Sequence, residues 1–155
     1  MKNDLGPAVA LALALTITPA AAQMLDNTAE GITAIARSFG SAQMETTSRG
    51  QPLVTGMIGD TRYGILIYGC DGGRGCESMQ FFATFNTSDR NRALDYLNSW
   101  NEDQRFGTAY VNDDGSVFLH WSANMDYGVT QANMTDSFDI WRLTLTAFRE
   151  YLTPN

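Results

Sequence analysis

From Thr28 to Leu152 the apolar residues alternate between two periods, and together they predict three helices and six strands. In "TAEGITAIARSFG", Ile32, Ile35 and Phe39 recur at helical spacing, with Thr28 as cap and Gly40 as stop. "AQMETT" and "PLVTGMI" read as short strands around the turn "SRGQ". "RYGILIYG" and "SMQFFATF" read as a hairpin, and Met79, Phe81, Ala83 and Phe85 share one face of its second strand. "TSDRNRALDYLNSWN" is a helix capped near Ser88 that buries Ala93, Leu97 and Trp100. A second hairpin, "GTAYVNDDGSVFLHWSANM", turns at Asp114-Gly115. Its second strand sends Val117, Leu119, Trp121, Ala123 and Met125 one way and Phe118, His120, Ser122 and Asn124 the other. The last helix, "TQANMTDSFDIWRLTLTAFREYL", places Met134, Phe138, Trp141, Leu145 and Phe148 on one stripe. Barely more than two heptads are present, so a core-facing helix is preferred to a coiled-coil partner. The predicted fold class is α+β.

The first residues follow a different logic. "MKNDLGPAVALALALTITPAAAQ" carries a cation at Lys2, an apolar run from Pro7 to Ile17, and small residues at Ala20 and Ala22. That pattern reads as a signal peptide over residues 1–22, cut between Ala22 and Gln23, with a single domain over 23–155. The apolar run is shorter than the roughly 20 residues a bilayer-spanning helix needs. The expected location is the periplasm.

Export narrows the reading of "GCDGGRGC", which joins the first hairpin and holds both cysteines, Cys70 and Cys76. A thioredoxin-type site wants C-x-x-C before a helix. Structural zinc wants four ligands, and two cysteines with the distant His120 fall short. A phosphate loop wants G-x-x-x-x-G-K-[ST], and Lys2 is the sole lysine. A disulfide clasp on the hairpin remains, consistent with an oxidising compartment. Arg74, at the loop tip, reads as a solvated charge or a contact for a partner.

Charge and composition exclude more than they assign. Net charge is −7, and because Lys2 and Asp4 cancel, it stays so after cleavage. Such a chain suits neither nucleic acid nor an anionic membrane surface. "NDDGS" lacks the order of an EF-hand loop and reads as a turn. No metal set and no cofactor motif is found. A Ser–His–Asp site could be assembled only around His120 with Ser122, without an identifiable orienting carboxylate or oxyanion hole. "WNEDQRF" offers Trp100, Asn101, Arg105 and Phe106 as a candidate partner-binding cluster, since Trp and Arg dominate interface hot spots. The structural alternative is equally physical: Trp100 closes a helix onto the sheet, and Arg105 pairs with Glu102 or Asp103.

An ordered series of landmarks resembles the YbjN family, bacterial proteins described as sensory-transduction regulators. After Cys70 and Cys76 come "SMQFFATF", then "NSWNEDQRF", the "DDG" turn, "DYGVT", and a final helix with Trp141 and Phe148. The resemblance covers Tyr63 to Leu152. It implies helices on a twisted antiparallel sheet of about six strands, similar to the type III secretion chaperone fold. With no base and orienter, metal set or cofactor loop in the sequence, the favoured reading is a non-enzymatic module that engages a protein or peptide in the manner of secretion chaperones, without a cofactor and with a homodimer left open. The other reading is a small hydrolase or small-molecule binder around His120 and Ser122.

Overall fold

A computed structural model describes residues 23–86 and 90–153, the side chains of 90–94 excepted. The signal sequence, the Ser88 cap and the Ala93 side chain lie outside the described residues. Three helices, α1 (Ala29–Phe39), α2 (Arg90–Asp103) and α3 (Gln131–Leu152), accompany six strands. The strands are β1 (Ala42–Thr46), β2 (Pro52–Ile58), β3 (Thr61–Tyr68), β4 (Ser78–Phe85), β5 (Thr108–Val111) and β6 (Val117–Asn124). They form one sheet in the order β1-β2-β3-β4-β6-β5, with every neighbouring pair antiparallel. The α+β class and the element order agree with the periodicity of the sequence.

Each element starts and stops for a local reason. Thr28 Oγ1 accepts from the Gly31 amide at 3.0 Å and caps α1. Thr130 Oγ1 does the same for Asn133 at 3.1 Å and opens α3. In the β5–β6 turn, Asp114 Oδ1 accepts from the Ser116 amide at 2.9 Å, while Gly115 supplies a positive φ of 83°. The Ser116 hydroxyl, which donates to the same oxygen at 2.6 Å, and the Ser116 amide together hold the Asp114 carboxyl below the ordinary carboxylate range.

All the large packing lies on one side of the sheet. Ile65, Ile67, Phe81 and Leu119 are buried there beneath α1 and α3, with Phe138, Trp141 and Phe148 of α3 fully enclosed. α2 closes the β5 end: Trp100 meets Phe148 edge-on at 4.8 Å between ring centres, and its Nε1 donates to the Gly107 carbonyl at 2.9 Å. Leu97 is buried as the helical spacing predicts. At the other end, Cys70 and Cys76 are disulfide-bonded. The clasped loop grips the entry to α1, since Cys76 N donates to the Asn27 carbonyl at 2.9 Å and Ala29 N donates to Gly73 at 3.1 Å.

Candidate functional site on the open sheet face

Among the described residues, no helix packs on the opposite side of the sheet. Strand register places its side chains: Gly64, Phe82, His120 and Thr108 form one row across β3, β4, β6 and β5, and Leu66, Gln80 and Ser122 form the next. Thr84, Phe118 and Tyr110 follow on the other side of the first row. Phe82 and Phe118 stack at 5.4 Å, and Tyr110 lies 5.2 Å from Phe118 with 45 % of its own surface exposed. Gly64 permits this arrangement, because a Cβ there would collide with the Phe82 ring. From β4 to β5 the outward positions carry Ser, Gln, Phe, Thr, His, Asn and Tyr and no acid, lysine or arginine. In a chain with net charge −7, this is an uncharged aromatic and amide surface.

Gln80 organises the polar half. Its Nε2 stands 3.2 Å from His120 Nδ1 and 3.3 Å from Ser122 Oγ. With the amide so oriented, Nδ1 accepts and a neutral ring carries its proton on Nε2. Partial burial pushes the His120 pKa below its ordinary value, which favours the same neutral form. His120 and Ser122 therefore share an amide donor, and the serine is not paired with a base. The His120 ring is flanked by Tyr110 at 5.7 Å and Phe118 at 5.9 Å. The ion pair found among the described residues is Arg142–Asp139, which leaves His120 without an orienting carboxylate there. Two surface hollows among the described residues, of about 240 and 760 Å³, are lined by neither His120 nor Ser122. No group of three His, Cys, Asp or Glu side chains comes together to hold a metal among the described residues.

His120→Gln should leave thermal stability at pH 7 within about 0.5 kcal/mol. Because the folded-state pKa is depressed, the unfolded chain takes up the proton first as pH falls below about 6.5, and folding weakens. The variant should lose that part of the acid slope, as melts between pH 7 and pH 5 would register.

The residues of "WNEDQRF" make different contacts. Trp100 is buried, and Asn101 turns to β5, where Nδ2 donates to the Ala109 carbonyl and Oδ1 accepts the Ala109 amide, both at 2.9 Å. Arg105 is exposed, with its guanidinium carbon 5.3 Å from the Phe106 ring centre. It stacks there instead of pairing with Glu102 or Asp103, as a planar cation over an aromatic face can. Phe106 in turn meets Trp121 edge-on at 5.5 Å. The sequence reading missed Phe82, Phe118 and Tyr110, although the β6 alternation already set Phe118 beside His120.

Fold and face define a small α+β domain that banks its helices on one side of a sheet and presents the other. The YbjN family model, described as "Putative bacterial sensory transduction regulator", matches residues 28–154, and the chain belongs to that family. No curated relative matches the sequence. The family description places the chain broadly among regulatory modules and not among a known family of enzymes.

Proposed function

We propose that this chain is an exported, non-enzymatic regulatory module that holds a protein or peptide segment on the open sheet face in the periplasm. The observation that carries the reading is the uncharged cluster of Phe82, Phe118 and Tyr110, on which no helix of the described residues packs. Aromatic surface of this kind gains free energy when a partner excludes water from it. The Gln80, His120 and Ser122 group beside it supplies polar atoms to fix a partner's register.

Charge selects the partner. Asp113 and Asp114 stand at the Phe118 end of β6, and Glu77 and Asp126 at its Asn124 end. An extended segment with an apolar middle and arginine or lysine at both ends complements this layout. A matching length is the eight residues of β6, roughly 26 Å. Export is supported by the pattern before Gln23, and a disulfide suits an oxidising compartment.

A labelled eight-residue peptide with a Phe/Leu-rich middle and arginine ends should bind the protein, and its glutamate-ended counterpart should not. Phe118→Glu should weaken that binding at least ten-fold while keeping the melting temperature. Equal affinity for both peptides, or an unaffected Phe118→Glu protein, removes the reading. N-terminal sequencing of periplasmic material should begin at Gln23, and a cytosolic chain starting at Met1 would remove the export half alone.

A further inference from the structure

The rest of the chain treats the two edges of the sheet oppositely. At β5 the outward backbone groups of Ala109 are both taken by the Asn101 side chain, at 2.9 Å each, and the strand is only four residues long. β1 is covered less: among the described residues one side chain reaches its outward backbone, at Ala42. The Ser41 carbonyl accepts from Met57 N and Thr47 N donates to Gln51, each at 2.9 Å, which brackets the β1–β2 ladder. By alternation, Gln43 and Glu45 bond toward β2, and the N–H and C=O groups of Ala42, Met44 and Thr46 point away from the sheet. Arg37 Nε donates to the Ala42 carbonyl at 3.2 Å. The strand carries no lysine, proline or bulge, the usual guards of an open edge. Met44 leaves 45 % of its surface exposed.

We propose that β1 is a dimerisation edge, pairing antiparallel with β1 of a second copy about a twofold axis through Met44 to make one continuous sheet. The choice of a second copy rests on how the strand matches itself. Centred on Met44, Ala42 faces Thr46 of the other copy, Met44 faces Met44, and every outward backbone group acquires a partner. On the remaining positions Glu45 falls opposite Gln43 of the other copy, twice over, so an acid meets an amide. A one-residue shift of the axis toward Glu45 would set Glu45 against Glu45, which like-charge repulsion disfavours. The same shift toward Gln43 leaves Thr46 unpaired. Glu45 is already disposed to accept an amide, since Thr55 Oγ1 donates to it at 2.7 Å and Gln43 Nε2 at 2.9 Å, which holds its carboxyl below the usual range. Pairing at this edge leaves the open face of both copies free, and it stands whether or not a peptide binds there.

Sedimentation of the protein from its own host, over a concentration series, should show a monomer–dimer equilibrium. Gln43→Lys should tighten it roughly three- to ten-fold by setting a cation opposite Glu45, and Gln43→Glu should weaken it by a similar factor. Met44→Pro removes an outward N–H without touching the β2 ladder, and should give a folded monomer by circular dichroism. A chain that stays monomeric near millimolar concentration overturns the proposal. So does a dimer that ignores all three substitutions, or one that dissociates with Phe118→Glu instead. A peptide found added at β1 in place of a second copy overturns it too.

Discussion

Trp141→Ala should destabilise the protein by about 3–5 kcal/mol, the range for truncating a fully enclosed aromatic residue. The melting midpoint should fall by roughly 10–20 °C for a domain of this size. Trp141 has no exposed surface and stacks on Phe81 at 5.4 Å. Phe81 stacks in turn on Trp121 at 5.5 Å and meets Phe138 edge-on at 4.9 Å, and Phe138 stacks on Phe39 at 5.5 Å. One contiguous set of rings thus joins α1, α3, β4 and β6 with Phe81 at its hub, and truncating Trp141 leaves a cavity against that hub. Trp141 Nε1 has no hydrogen-bond partner among the described residues, so the loss is one of packing alone. Trp141→Phe should therefore cost less than Trp141→Ala, since it keeps a ring against Phe81 and leaves the smaller cavity. Trp100→Ala should fall in the same range as Trp141→Ala, but it would also break the bond to Gly107 and release α2 from Phe148. Thermal and denaturant melts of the three variants give the comparison. A Trp141→Ala protein within 1 kcal/mol of the parent would mean the rings do not form a common core.

Local patterns carried the elements, and pairing carried the site. Thr28, Gly40, the Asp114-Gly115 turn and the stripe from Met134 to Phe148 are written in spacing and cap chemistry, which act within a few residues. The placement of β6 between β4 and β5 is not written that way, because α2 lies between β4 and β5 and the two edges it could join look alike in sequence. That adjacency is what brings Phe82 to His120 and Gln80 to Ser122. Phe82 was further hidden by its neighbour: "FF" in β4 is apolar on both faces, so alternation could not mark the outward ring as unusual. Asn101 shows the converse case. Its polar side chain near the end of a helix reads as available to a partner, yet its amide is occupied by the backbone of β5, a strand that begins seven residues later in the chain.

Removing the clasp should also cost stability, and in a particular place. Closing a loop of about seven residues accounts for roughly 2–2.5 kcal/mol through the unfolded chain. The loop does more than close on itself, because the Gly73 carbonyl accepts from Ala29 N at the first turn of α1, and Cys76 N donates to Asn27. Asn27 Nδ2 in turn donates to the Met125 carbonyl at 2.8 Å, and Leu25 N donates to Val129 at 2.8 Å, so the strap before α1 is held from two sides. The double substitution Cys70→Ala, Cys76→Ala should lower stability by about 2–4 kcal/mol, the upper part reflecting loosened docking of the strap. Alanine is preferred to serine because Cys76 is buried, with 1 % of its surface exposed, and a hydroxyl there would add a desolvation cost of its own. Hydrogen exchange should quicken first at the amides of Ala29 and Cys76, while those of β3 and β4 away from the loop keep their protection. Reduction of the native protein should reproduce the loss, and the same reagent should leave the variant unchanged. If melting and exchange are the same with and without the bond, the loop is held by its glycine turns alone and the disulfide does not support the start of α1.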